Sequence, residues 1–355
     1  MSAKYVLLAE QLRSRLPEFA RNGRKLPTEA ELCQSYGMSR QTVRHALQLL
    51  VDEGLIQRRH GSGSYVKKSA LRQDSMQIAV ITSFLDDYIF PSILHDAQNL
   101  FAQEGYSTLV YATENRVSTE REILKKLLNM RVSAVLIEGS KTALPTPNAD
   151  LFLKLRDSGI PILFLHGSYG NLPDFPCVLD NNHKGGYMLT RYLLEKGHRE
   201  LGGIFKGDDL QGPQRYQGMA DALRDARIPV PDKRICWYDT ETRSDMLDKG
   251  DLGYLERAIR QRLSTADAVI CYNDEIAHLL IRCLTEAGRR VPEDVAVVSF
   301  DNSQYSQIGP VPITSLGHRT ARTGRVAAQL LLKLLRGEDS DSVALEWEII
   351  ERQSG

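Results

Sequence analysis

The sequence predicts a mixed α/β protein in two unequal parts: a small winged helix-turn-helix over residues 1–68 and a larger α/β body with parallel sheets over residues 76–355, joined by a linker at 69–75. Three observations carry this. Residues 27–66 read as helix, turn, helix and β-wing. From Gln77 onward, short apolar runs rich in β-branched residues alternate with amphipathic helical stretches, the rhythm of an α/β fold. The formal net charge of zero also hides a polarised chain, since residues 1–72 hold 13 Lys and Arg against 6 Asp and Glu, and the remainder holds 32 against 39. A basic end of this kind meets phosphate.

Within the first part, Thr28-Glu29-Ala30-Glu31 is a capping box that starts a short helix. Gly37 can take the positive φ of a tight inter-helix turn, and Ser39 is a good N-cap for the next helix. In that helix Val43, Ala46, Leu47 and Leu50 recur at i, i+3, i+4, i+7 and form the packing face. The opposite face presents Arg40, Gln41, Arg44 and Gln48 near the end that enters the major groove in this motif. Arg and Gln can each bind base edges bidentately. Gly54 ends the helix, and Leu55–Arg58 and Ser64–Lys67 read as strands around the turn His60-Gly61-Ser62-Gly63.

The polar segment Lys67–Asp74 has no apolar periodicity, which makes it the linker. Beyond it, strands are expected at Ile78–Phe84, Thr108–Ala112, Ala134–Glu138, Ile162–His166, Leu201–Phe205, Ala268–Cys271 and Val295–Phe300. Helices are expected between them, for example at Pro91–Glu104, Thr119–Met130, His183–Lys196 and Asn273–Ala287. Open α/β sheets bind ligands outside the carboxyl ends of their strands. There the chain places Asp86-Asp87-Tyr88 through Pro91, Gly139-Ser140-Lys141, His166, Asp208-Asp209, Asn273-Asp274 and Asp301-Asn302. Carboxylates, amides and Arg beside aromatic rings suit a carbohydrate, although any one of these groups also fits an ordinary helix-capping loop.

The first 68 residues resemble the winged helix-turn-helix of the GntR family of bacterial regulators, whose LP-[ST]-E-x-x-L, G-x-[ST]-R-x-T-[VI]-R-x-A, L-x-x-x-G-L-[IL] and G-x-G-[ST]-x-[VF] patterns recur almost complete. This resemblance implies operator DNA as partner. It puts Ser39, Arg40, Gln41, Thr42, Arg44 and Gln48 at the interface, with His60 and Gly61 of the wing at the neighbouring minor groove. Residues 76–352 resemble the LacI/GalR-type effector domain, through DNNHKGGYMLTRYLLEKGHRELGGI, QRYQGMADAL, AVICYNDEIAHLLIRCLTEAGRRVPEDVAVVSFDN and ITSLGHRTARTGRVAAQLLL. That likeness implies a two-lobed, periplasmic-binding-protein-like body with three crossovers, a small molecule in the cleft and a homodimer. Matched motif by motif, the ligand would meet Arg215, Asn273 and Asp301, with Asp180, Lys141 and His318 as further hydroxyl partners and Tyr88 and Phe90 as the aromatic position. The head together with DDYIFPSI, IFKGDDLQG and CYNDEIA is similar to the arabinose-responsive repressors of Gram-positive bacteria, which implies L-arabinose as effector and repression relieved by it; another pentose or hexose remains the alternative.

No P-loop, nucleophile elbow, strand-following GxGxxG or HExxH is present, so an enzyme is not expected. Cys33, Cys177, Cys236, Cys271 and Cys283 form no CxxC pair, which fits reduced thiols and neither a metal nor a cofactor site. With no apolar run long enough to span a bilayer and no secretory signal, the expected location is the cytoplasm.

Overall fold

The structure is a computed structural model that describes residues 4–21, 25–59, 62–67, 76–85, 88–130, 132–318 and 322–355. The head comprises α1 (Lys4–Arg21), α2 (Glu29–Tyr36), α3 (Arg40–Asp52) and the antiparallel wing strands β1 (Ile56–Arg59) and β2 (Gly63–Val66). The capping box is formed on both sides: the Thr28 amide donates to Glu31 Oε2 at 2.7 Å and the Glu31 amide to Thr28 Oγ1 at 3.3 Å. Gly37 closes α2 at φ 61° and Gly54 follows α3 at φ 73°. Val43, Ala46, Leu47 and Leu50 are buried against Leu8, Leu12 and Leu16 of α1, a helix that precedes the motif read from the sequence. Each fully buried aliphatic side chain of this kind contributes roughly 1.5–3 kcal/mol. The wing strands lie one residue from their expected bounds. The expected linker 69–75 lies outside the described residues.

The body begins with β3 (Gln77–Thr82), α4 (Phe90–Gln103), β4 (Ser107–Ala112), α5 (Val117–Asn129), β5 (Ala134–Ile137), α6 (Ala149–Asp157), β6 (Ile162–Leu165) and β7 (Cys177–Asp180). It continues with α7 (Asn182–Glu195), β8 (Leu201–Lys206), α8 (Gln211–Asp225), β9 (Ile235–Tyr238), α9 (Thr240–Leu247), α10 (Gly253–Gln261), β10 (Ala268–Cys271), α11 (Asp274–Glu286), β11 (Ala296–Phe300) and β12 (Thr314–Gly317). The last elements are α12 (Thr323–Arg336), β13 (Val343–Leu345) and β14 (Glu348–Ile350). Two six-stranded sheets result, ordered β13-β7-β6-β5-β3-β4 in lobe 1 and β14-β12-β11-β10-β8-β9 in lobe 2. All neighbours are parallel except β14 on β12.

The chain therefore passes between lobes three times: after β7, between β12 and α12, and between β13 and β14. The last pass splits adjacent three-residue strands between the two sheets, a pairing that their own sequence does not encode. The seven strands expected from apolar runs form, and β7, β9, β12, β13 and β14 complete the sheets. β3 stops at Thr82, two residues before its expected end, because the Glu138 carboxylate takes the Thr82 hydroxyl at 2.9 Å and the Ser83 amide at 2.8 Å. In lobe 2, α7 and α8 pack backbone to backbone: a Cβ on Gly186 would lie 2.0 Å from the Arg215 carbonyl oxygen, and one on Gly218 would lie 1.9 Å from that of His183. Two glycines thus set the height at which Arg215 reaches the cleft.

Candidate functional sites: a DNA-facing helix and an interlobe cleft

On the head, Ser39 caps α3 by accepting the Thr42 amide at 3.2 Å, which fixes the start of that helix. Arg40, Gln41, Arg44 and Gln48 are exposed on the face opposite the core. Two of them have partners. Arg44 Nε donates to Glu29 Oε2 at 2.8 Å, and Gln48 Nε2 donates to Asp52 Oδ1 at 2.8 Å. DNA would have to displace these contacts or use the remaining nitrogens. On the wing, Arg59 lies over the Tyr65 ring, 4.9 Å from its centroid. His60 and Gly61 lie outside the described residues.

The second site lies between the lobes, where the carboxyl ends of both sheets face each other. Tyr88 from lobe 1 donates its hydroxyl to Asp301 Oδ2 of lobe 2 at 2.5 Å, and Arg215, Asn273, Asp180 and Asp301 all line the same cavity. Arg215 is 3% exposed, and two of its three nitrogens make hydrogen bonds within the protein. Nε donates to Asn182 Oδ1 at 2.9 Å, Nη1 donates to the Tyr272 carbonyl, and Nη2 lies 3.6 Å from Asp301. The Phe300 ring packs on its guanidinium at 4.1 Å. Asn273 spends its carbonyl oxygen on the Ile276 amide as the N-cap of α11, at 3.0 Å, which corrects its expected place inside that helix.

Three expected ligand groups sit elsewhere. Phe90 is 4% exposed and belongs to the lobe 1 core, because α4 begins there and turns the ring inward; the lobe 1 aromatic groups at the cavity are Phe84 and Tyr88. Lys141 does not line the cavity, and its ammonium is at the rim, 3.1 Å from Glu241 and 3.7 Å from Asp208. His318 lies on the hinge side, where Nε2 donates to Asp180 Oδ1 at 2.7 Å and Nδ1 to the Glu346 carbonyl at 2.7 Å while the ring stacks on Trp347. It ties all three passes of the chain together. Asp86 and Asp87 lie outside the described residues.

The cavity also gathers Glu138, His166, Lys206, Asp209, Tyr238, Arg243 and Tyr272. Position after a strand points to His166, Asp209 and Tyr272; nothing in the sequence points to Arg243, whose guanidinium lies over the Phe84 ring at 4.1 Å. Burial opposes the charge of His166, but the hydrogen bond and charge of Asp180 outweigh it and raise the imidazole to about 9. Burial likewise opposes ionisation of Asp180, yet His166 and His318 hold it well below the usual carboxylate range. Lys206 is equally compensated, with Asp208 Oδ1 at 3.0 Å and Asp209 also paired to it. The cations of this cleft are thus already matched by carboxylates. Such a lining offers hydrogen bonds to hydroxyls and rings to C–H faces, and among the described residues each of its cations, Arg243 with Glu275 included, has a carboxylate partner.

Fold and sites define a DNA-binding regulator with a sugar-binding effector domain. Residues 4–66 match the bacterial regulatory proteins of the gntR family, and residues 190–355 match the periplasmic binding protein-like domain. The chain is 33% identical over 351 residues to an arabinose metabolism transcriptional repressor of Halalkalibacterium halodurans, covering 97% of this chain and 92% of that one. It is 32% identical over 321 residues to the protein of the same name from Geobacillus stearothermophilus, covering 90% and 87%. The chain belongs to this family of transcriptional repressors of sugar metabolism, which are regulators and not enzymes. Its fold is also that of a CelR transcriptional regulator in complex with cellobiose, with a TM-score of 0.69 at 22% identity over 93% of this chain and 100% of that one. Among the described residues no helix is long and apolar enough to cross a membrane.

Proposed function

We propose that the protein is a cytoplasmic, homodimeric repressor that leaves operator DNA when L-arabinose binds its cleft. In this reading residues 1–68 are the DNA-binding head, 69–75 the linker and 76–355 the effector and dimerisation body. Similarity along nearly the whole chain to two repressors named for arabinose metabolism carries the proposal. The charge-matched, aromatic-lined cleft supports a neutral polyhydroxyl ligand. Arg215 and Asp301 would grip the sugar, with Asp180, Asn273 and Tyr88 as further partners, and Ser39, Arg40, Gln41, Thr42, Arg44 and Gln48 would face the operator.

The two sites are linked by reciprocity. If sugar lowers operator affinity by some factor, operator lowers sugar affinity by the same factor, typically about 1–3 kcal/mol. The test is calorimetric titration of the full-length protein with L-arabinose, D-xylose, D-ribose and D-galactose, with and without a promoter fragment from its own gene. Tighter binding of L-arabinose than of the other sugars, weakened by the fragment, is expected. Preference for another sugar would keep the regulator and discard arabinose, and equal affinity with and without DNA would discard the release mechanism.

A further inference from the structure

At the rim of the cleft far from the crossovers, the two lobes bond to each other directly. Asn115, in the loop after β4, is fully buried, and its amide reaches across to lobe 2, donating to Asp209 Oδ1 at 2.9 Å and Thr240 Oγ1 at 2.7 Å. Its own oxygen accepts the Lys141 amide at 2.7 Å, so the two lobe 1 loops are locked to each other as well. Lys141 adds the ion pairs to Glu241 and Asp208, and the backbone joins in: the Ala143 amide donates to the Asp208 carbonyl at 3.2 Å and the Leu210 amide to Thr142 Oγ1 at 3.0 Å. Asn115 and Lys141 both sit at φ 52°, a left-handed conformation that costs non-glycine residues about 1 kcal/mol or more unless surrounding structure holds it. Behind them the buried Glu120 carboxylate anchors the same loop, accepting the Ser140 amide at 2.9 Å and the Tyr169 hydroxyl at 2.6 Å.

We propose that Asn115 and Lys141 are positioning residues of an interlobe latch that stabilises the closed form of the body. Neither lines the cavity. Their role is to set the fraction of molecules in the closed form, and the apparent affinity of a ligand scales with the fraction of protein in the form it binds. The latch itself needs no assumption about the ligand. Its effect on the operator rests on the sugar-release reading above, under which the closed form is the one that leaves DNA, so loosening the latch weakens sugar binding and tightens operator binding.

The experiment separates these two layers. Spin labels on Glu122→Cys of α5 and Arg260→Cys of α10, in a full-length Cys33→Ser background, report the interlobe distance by pulsed dipolar spectroscopy without sugar. A population at a short interlobe distance is expected for the parent, with a smaller such population and longer distances for Asn115→Ala, Lys141→Met and Glu241→Gln. The last lies on a side chain that is 67% exposed, where substitution does not threaten folding. Affinity for L-arabinose should fall about tenfold in the Asn115→Ala, Lys141→Met double variant, with every cavity-lining group intact. An unchanged distance distribution in the double variant overturns the latch. Longer distances in a protein that does not bind L-arabinose would uphold the latch and discard the sugar assignment.

Discussion

The head and the cleft solve recognition in opposite ways. The head carries its exposed polar face on one helix, from Arg40 to Gln48, set by caps within a few residues of it. The cleft draws Tyr88, Asp180, Arg215, Asn273 and Asp301 from both lobes, and Tyr88 and Asp301, in direct contact, are separated by 213 positions. A surface built locally can lose one side chain and remain in place. A cleft built from buried, mutually compensating charges cannot, because removing one partner strands the other.

The sharpest break of this contrast is Arg215→Ala. It would leave Asp301 buried without its cation and empty the space beside Phe300, costing roughly 3–5 kcal/mol in body stability or sugar affinity, read by thermal melting and calorimetry. Binding of DNA by the head, measured without sugar by fluorescence anisotropy, should survive it if the body still folds. Loss of both together would mean that the two regions are not separable.

Next in size is a pH effect confined to the body. The folded pKa of His166, about 9, lies above its ordinary 6.5. The stabilisation from its charged form is complete below pH 6.5 and is lost as pH rises through 9, at most about 3 kcal/mol. Body melting should therefore fall between pH 6.5 and 9.5, and Asp180→Asn should flatten that slope. A slope unchanged in the variant would assign the effect to another group.

Arg44→Ala should weaken operator binding by about 1–3 kcal/mol while leaving sugar affinity as it was. Loss confined to one base-pair position would mark a base contact, and uniform loss a phosphate contact. The smallest effect is expected for Glu29→Gln, which breaks the ion pair to Arg44; that pair is solvent-exposed and worth under about 1 kcal/mol. Because Glu29 occupies Arg44 in the free head, operator binding should tighten slightly. Clear weakening would instead mean that Glu29 aims Arg44 at the DNA.

Much of this protein was determined by sequence alone where the controlling interactions are short-range. The Thr28–Glu31 box, the positive φ of Gly37, the Ser39 cap and the apolar stripe through Leu50 are each contained within a few helical turns, so type and spacing of residues suffice to specify them. The α/β rhythm of the body follows in the same way from runs of apolar residues, and the expected strand ends include Asn273 and Asp301, whereas the strand that ends at Asp180 is not among those expected. Only the tertiary structure decided which strand-end groups line the interlobe cavity. Tyr88 and Phe90 are two residues apart, yet the start of α4 sends one ring to Asp301 and the other into the core. Lys141 and His318 likewise sit at strand ends, but the sheet order and the three crossings put one at the rim and the other at the hinge. Caps and periodicities are properties of neighbours in the chain, whereas a cleft is a property of strand order, and no local pattern of residues carries that order.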